Sequence, residues 1–384
     1  MKESGRKRIL VACNHLVSVG GAELYTYYLI KAIKGKRKYK VEYFTHHLGE
    51  ISSKIENELQ IGFRSGKGYD LIIASHNLTV NYLYGKGPIL QICHGPIPEM
   101  EQPSPLADYH IAVSEEVKQH LLQKGFDSKV VLNGVDLGTF SPQKAIGKEL
   151  KTVLSLCQSE EANKWISEIC EEEQLSFKAI NKHENPVFQV NKEINKADMV
   201  IGIGRSVYDA IACGRPCVLF DNRVYNGTLG DGYLHPHLFK KFVLNNCSGR
   251  YTKKSFTKQQ LKQEINKYNA EDGKALRSIA ERSLDLNKNT EKILAIGFSI
   301  GKWDHFKHRL SIFFQPNKTK PLFSEQKRLY RAKMKKKIDQ GTSLKTLFFL
   351  IYNESFPINL QFAFYLFWLK LLLKGRKSEK PSEN

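Results

Sequence analysis

Paired-cysteine motifs are missing from this chain of 384 residues. The seven cysteines make an odd set with no Cys-x-x-Cys spacing, which excludes the common zinc and dithiol patterns. Cys13 and Cys93 sit inside apolar runs, so buried free thiols in a reducing compartment are the expectation. No secretory signal is recognised either. MKESGRKR is basic, but RILVACNHL is too short for an h-region and lacks a cleavage site, which places the expected location on the cytoplasmic side. Acid is in short supply: 39 Asp and Glu face 59 Lys and Arg, for a net charge of +20. The imbalance is concentrated in residues 301–384, where 18 basic side chains meet 6 acidic ones, a net +12. Such an asymmetry points to an anionic surface, either a membrane or nucleic acid.

The length exceeds what one hydrophobic core usually serves, and 41% hydrophobic with 26% charged residues is a globular balance. Short continuous apolar runs recur at RILVAC (8–13), KVEYFT (40–45), DLIIAS (70–75), ILQIC (89–93), YHIAVS (109–114) and KVVLN (129–133). Runs of this kind mark parallel strands covered on both faces, and amphipathic segments such as AELYTYYLIKAIK (22–34) separate them. The alternation predicts a doubly wound α/β domain over residues 1–142. It restarts with KTVLSL (151–156), SFKAI (176–180), DMVIGI (198–203) and PCVLFD (216–221), predicting a second such domain over 143–300, closed by the helical tract 257–300. The turn-rich NGVDLGTFSPQ (133–143) reads as the hinge between them.

Residues 301–384 form a basic, aromatic-rich extension. FSEQKRLYRAKMKKK (323–337) precedes LFFLIYNESFPINLQFAFYLFWLKLLL (347–373), which has the length of a spanning helix but is interrupted by Glu354, Pro357, Asn359, Gln361 and Lys370. With basic residues at both ends, the segment 323–377 reads first as an interfacial contact with an anionic membrane surface. A true span, or an aromatic helix packed back on the domains, are the alternatives.

Candidate site residues are those that fall at strand ends facing an interdomain cleft. Gly20 and Gly21 follow the first strand and open a helix whose N-terminal amides favour an anion; an ordinary turn is the competing reading. His76 and His94 each follow a strand directly and are expected to face the cleft, where a histidine serves as a proton-handling or hydrogen-bonding group unless it is structural. In the second half, Gly202, Gly204, Arg205 and Ser206 lead into the helix SVYDAIAC, capped by Ser206 or Gly204. Arg205 there is either a bidentate phosphate ligand or a solvated loop charge. Asp209, one turn in, is either a ribose-binding carboxylate or a favourable first-turn acid. No metal-ligand pattern is apparent.

Taken together, GGAELYTYYL, the strand-end CHG, ADYHIAVSEEVKQHLLQKGF, NGVDLGTFSP, ADMVIGIGRSVYDAIACGRPCVLFD and GTLGDGYLHP resemble GT-B glycosyltransferases, in particular the family 4-like group of retaining, nucleotide-sugar-dependent enzymes. The likeness runs over residues 8 to 290. It implies two Rossmann-like domains facing across a cleft, and metal-independent transfer of a sugar from a nucleotide-diphosphate donor, with no other cofactor, to a glycan or lipid-linked acceptor. By resemblance, Asp209 takes the ribose contact, His94 lines the catalytic centre, and Gly20-Gly21 form the first-domain glycine loop. Two positions depart from the family pattern. Ile201 stands where a sugar-contacting glutamate is usual, and CQSEEANKW after the strand 151–156 lacks the diphosphate-binding arginine, leaving only Lys164 nearby. Arg205 and the amides of 202–206 are the expected replacement grip. The implied function is assembly of cell-surface polysaccharide or glycolipid by a peripheral protein at the inner membrane face. A catalytically degenerate scaffold and a nucleotide-sugar epimerase are the other readings, and no nucleic-acid partner is expected.

Overall fold

The computed structural model describes residues 5–314, apart from Lys67, Tyr225 and Asn226, together with isolated positions between 334 and 369. The basic run 323–337 and the apolar run 347–373 therefore lie almost wholly outside the described residues. No helix among the described residues is long and apolar enough to cross a membrane.

The first half alternates β1 (Lys7–Ala12), α1 (Gly21–Lys34), β2 (Tyr39–Phe44), α2 (Glu50–Asn57), β3 (Leu71–Ser75), α3 (Asn77–Leu83), β4 (Ile89–Cys93), β5 (Tyr109–Ala112), α4 (Glu115–Gln123) and β6 (Ser128–Val130). Its six strands form one parallel sheet in the order β2-β1-β3-β4-β5-β6. Every residue of β3 and β4 is buried, because helices cover both faces. The pleat divides each strand between two cores: Ile9, Val11 and Ile73 join α1 on one side, while Leu10, Ala12, Ile72 and Ala74 join α3 on the other. Helix starts follow local chemistry, as where Ser114 Oγ accepts from Val117 N at 3.3 Å to cap α4.

The second half holds β7 (Thr152–Ser155), α5 (Glu160–Glu172), β8 (Ser176–Ala179), α6 (Val190–Ile194), β9 (Met199–Gly202), α7 (Arg205–Ala212), β10 (Cys217–Phe220), β11 (Leu229–Tyr233), α8 (Phe239–Phe242), β12 (Lys254–Ser255), α9 (Lys258–Ile265) and α10 (Ala270–Ser283). The sheet order is β12-β11-β10-β9-β7-β8, parallel except where β11 pairs antiparallel with β10 and β12. The apolar-run pattern does not contain β11, since its sequence LGDGY lacks the branched residues that announce a strand.

The helical tract 257–300 does not belong to the second sheet alone. Its last helix, α11 (Leu286–Phe298), returns to the first: Lys36 Nζ meets Glu291 at 2.7 Å, and the rings of Tyr39 and Phe298 stack at 5.6 Å. An amphipathic period shows which stripe is apolar but not which partner it covers. α12 (Lys302–Phe313) follows onto the opposite face of the first sheet, where Ile312, Met334 and Trp368 contact the cluster containing Leu10 and Ile72. All seven cysteines are free and buried.

Within residues 5–314 the chain thus passes between the halves twice, and the two passages are bonded together. Val135 N donates to Leu284 O at 2.7 Å and Leu286 N donates to Val135 O at 3.1 Å. Just beyond, residues 141–144 are fastened to the second domain through Arg215. Its guanidinium is buried and donates to the carbonyls of Lys144 (2.8 Å), Asn195 (2.9 Å) and Ile194 (3.2 Å). Replacing Arg215→Met keeps the bulk and strands those carbonyls, so stability should fall by about 3 kcal/mol or more in urea-induced unfolding.

Candidate active site in the interdomain cleft

Each sheet reverses its direction of winding once: β1 lies between β2 and β3, and β7 between β8 and β9. Crevices open outside the carboxyl ends of parallel strands at such reversals. Here the two crevices face one another around a cavity of about 310 Å³. Gly20, Gly21, His94 and Glu101 line it from the first domain, and Lys182, Arg205, Ser206, Asp209, Arg223 and Arg250 from the second. The domains also touch on both flanks. Phe188 packs edge-on against Tyr27 at 5.1 Å, with Lys54 Nζ 4.3 Å from its ring, and Arg250 makes a two-pronged bond to Glu116 (3.0 and 2.6 Å).

On the first-domain wall, Gly20 caps α1 without a side-chain bond, and a Cβ there would strike the carboxylate of Glu23. Gly21 borders open space. Glu23 is not in the cavity lining but stands behind it, with its carboxylate against Gly20. Burial opposes its charge, but the bond from His15 Nε2 at 2.8 Å helps hold its pKa below the usual carboxylate value. The same bond leads the rise in the His15 pKa.

His76 corrects an expectation. It is absent from the cavity lining and turns inward: its Nδ1 accepts from Asn14 N at 3.3 Å, and its ring stacks on His15 at 5.5 Å. Its φ of 71° bends the chain into α3, and that bend directs the side chain away from the cleft. His94 does line the cavity, with Nε2 3.0 Å from Ser75 Oγ and the Tyr25 ring edge-on at 4.9 Å. Burial, helped by the nearness of His76, lowers its pKa to about 3, so it is a neutral imidazole at physiological pH.

On the second-domain wall, Gly204, not Ser206, is the N-cap of α7. Its φ of 61° and ψ of −123° belong to a region essentially restricted to glycine, and the turn is tied down by Gly204 N donating to Cys247 O at 2.7 Å. Ser206 and Arg205 therefore begin the helix itself, with Gly202 packed against the Ser206 side chain. Arg205 does not extend as a free phosphate grip. Its Nε bonds Asp209 Oδ1 at 2.9 Å, its Nη1 bonds the hinge carbonyl of Gly134 at 3.2 Å, and its guanidinium carbon lies 5.4 Å from the Tyr28 ring centre. Nη2 is buried with no hydrogen-bond partner among the described residues. The i,i+4 spacing that put both groups on one helix face also lets them satisfy each other. Burial raises the Asp209 pKa to about 6, against the pull of Arg205.

The arginines at the cavity share this pattern. Arg223 bonds Asp221 at 2.6 Å and Arg250 bonds Glu116, whereas Lys182 Nζ has no ion-pair partner among the described residues. Glu101 lines the cavity and was not foreseen. It stands in a short 3-10 turn (Glu99–Glu101), with Oε2 packed where a Gly95 Cβ would come within 2.5 Å. Burial raises its pKa to about 7, while Arg250 pulls the other way. The available signal was PIPEMEQP (96–103), an acidic, proline-punctuated loop directly after the strand-end His94-Gly95. No group of three or more His, Cys, Asp or Glu among the described residues is placed to hold a metal ion.

A carboxyl whose pKa is higher folded than unfolded contributes stability that is complete below about pH 4.5 and lost as pH rises through about 7. Glu101→Gln should flatten that loss, making the variant more stable than the parent above pH 7 by on the order of 1–2 kcal/mol after allowance for solvent screening. Denaturant unfolding across pH 4 to 8, on both proteins, checks this.

No family model and no curated protein matches the chain. Solved structures do. A Listeria monocytogenes protein assigned as a UDP-N-acetylglucosamine 2-epimerase superposes with a TM-score of 0.50 at 12% identity, over 76% of this chain and 95% of that one. Staphylococcus aureus MnaA, solved with UDP, gives 0.47 at 14% identity over 75% and 95%, and Acinetobacter baumannii MurG gives 0.44 at 11% over 76% and 99%. At such identities the likeness speaks for the fold alone: two Rossmann-like domains facing across a cleft, the GT-B architecture.

Proposed function

We propose that the chain is a glycosyltransferase that moves a sugar from a nucleotide-diphosphate sugar to a glycan or lipid-linked acceptor. The observation that carries this reading is the asymmetric cavity between two strand-order reversals. Its second-domain wall offers the Lys182 ammonium and the start of α7, and its first-domain wall offers neutral His94 beside Glu101. The donor would lie on the second domain, with its diphosphate toward Lys182 and the α7 amides. One Asp209 oxygen is occupied by Arg205, leaving Oδ2 for a ribose hydroxyl.

Transfer breaks the bond from the sugar C1 to the phosphate oxygen and forms one to the acceptor oxygen, whose proton must depart. Lys182 would balance charge on the leaving diphosphate. His94, being neutral, would hydrogen-bond the transferred sugar without placing a cation beside an electron-poor C1. A Glu101 carboxyl titrating near neutrality suits receipt or relay of the acceptor proton. Retention of configuration, a family 4-like relationship and a donor site diverged at Ile201 remain part of this proposal. So do metal independence, a role in cell-surface polysaccharide or glycolipid synthesis, and attachment of segment 323–377 to an anionic membrane face.

A nucleotide-sugar epimerase is the second reading, favoured by the same Glu101, since a carboxyl poised near neutrality can also exchange a proton at a sugar carbon. The Listeria protein's assignment adds to it. Product formed from donor without any acceptor would favour the epimerase.

Calorimetric titration with UDP, dTDP, GDP and ADP tests the shared premise. One of them should bind, and Lys182→Ala should weaken it by roughly tenfold, about 1.4 kcal/mol. Binding of none would overturn the nucleotide-sugar reading and favour a catalytically silent scaffold.

A further inference from the structure

Among the described residues, α12 contacts the first domain along one stripe. His305 Nδ1 lies 2.6 Å from Asp108 Oδ1, His308 Nε2 lies 2.9 Å from the Pro105 carbonyl, Arg309 sits 5.8 Å from the Tyr84 ring centre, and Ile312 packs into the cluster with Leu10 and Ile72. These positions, spaced three and four apart, form one face of the helix. The opposite face is apolar and open to solvent, with Trp303 64% exposed, Phe306 51% and Leu310 43%. Single exposed apolar residues are ordinary on protein surfaces, but a stripe of large ones on one helix face marks a contact surface.

The stripe is also organised and bordered by positive charge. Trp303 and Phe306 stack at 5.4 Å with ring planes 17° apart, and Lys307 Nζ lies 5.4 Å from the Trp303 ring. Lys302 and Lys307 are exposed on either side of it, with Asp304 the acid in this helix. From here the sequence turns strongly basic, as the net +12 over residues 301–384 records. A second copy brought face to face would set lysine against lysine. An anionic bilayer matches both properties, since its headgroups meet the lysines while Trp and Phe enter the interfacial layer.

We propose that α12 is a membrane-insertion helix that lies flat on an anionic bilayer through Trp303, Phe306 and Leu310, with Lys302 and Lys307 at headgroup level. It adds a folded contact to the tail reading of residues 323–377 but does not depend on glycosyl transfer. α12 bonds the first domain beside Asp108, where β5 begins, whereas the cavity lies at the strands' carboxyl ends. The proposed contact is therefore set apart from the cleft.

The test uses the full chain with vesicles of phosphatidylcholine alone, or with added phosphatidylglycerol. Co-sedimentation should require phosphatidylglycerol. In a Trp165→Phe, Trp368→Phe background, the emission of Trp303 should shift to shorter wavelength on binding. Trp303→Ser with Phe306→Ser and Leu310→Ser should lower the bound fraction by at least about tenfold, with an unchanged thermal midpoint because these side chains are exposed. A companion variant, Lys333→Gln with Lys335→Gln, Lys336→Gln and Lys337→Gln, separates the tail.

If only the tail variant loses binding, the α12 proposal is overturned and the tail reading stands. If the parent protein binds neither vesicle, both are overturned. Serine variants that bind normally but lose self-association in light scattering would reassign the stripe to a second copy. Trp303 already shielded from iodide without lipid would reassign it to the chain's own tail.

Discussion

A carboxylate and a guanidinium that leave water together must satisfy one another, and this constraint organises the centre of the molecule. Arg205 begins α7, where β9 delivers the chain to the cleft, Asp209 follows one turn further along the same face, and both are largely buried. Their bond engages groups that a ligand would otherwise recruit. The second arm of Arg205 reaches Gly134 in the first interdomain passage, and its flat face lies over Tyr28 of α1. One helix start thereby connects the second sheet, the hinge and the first domain's main helix. Breaking such a pair from one side leaves an uncompensated buried charge, which is why its loss would propagate beyond the cleft.

The remaining charges in the cleft follow the same logic at lower burial. Arg223 and Arg250 are each held by a carboxylate, Arg250 by one from the opposite domain. A wall rich in cations therefore presents much less free positive charge than its composition suggests. Among the described lining residues, what stays available is the Lys182 ammonium together with backbone amides. Across from it, burial removes the charge from His94 and holds Glu101 near its titration point. The polarity of the cleft is produced by pairing and desolvation acting on an apparently uniform set of basic residues.

How much of this was legible in the sequence depended on the range of the interaction. Continuous apolar runs marked nine of the ten parallel strands within a residue or two, and the tenth, β6, ends three residues before its run does, because burial on both faces leaves its trace in the central strands and less at the edges. Gly20, Gly21, His94, Gly202, Gly204, Arg205, Ser206 and Asp209 were all placed at the cleft by counting from strand ends, and all but Gly202 line the cavity. What side chains do once there was less visible. Asp209 lines the cavity as expected of its position but also binds Arg205 through one oxygen, and His76 was expected in the cleft but turned inward through a left-handed backbone residue. Glu101 was missed because its importance comes from burial that no local pattern encodes. The glycine-rich strand β11 and the return of α11 to the first sheet were hidden for related reasons, the one lacking strand residues and the other depending on a distant surface.

The two interdomain passages have a mechanical consequence. A single tether would permit twisting, sliding and rocking alike. Here the chain segments around Val135 and Leu284–Leu286 run side by side and exchange backbone bonds, so the link behaves as a short ribbon with one compliant direction. Bending across that ribbon would open the cleft by parting Phe188 from Tyr27 and Arg250 from Glu116, while shear would have to break the ribbon's own bonds first. Any swing of one domain against the other would accordingly turn about this bonded backbone, and the side-chain contacts on the two flanks would be its closing stops.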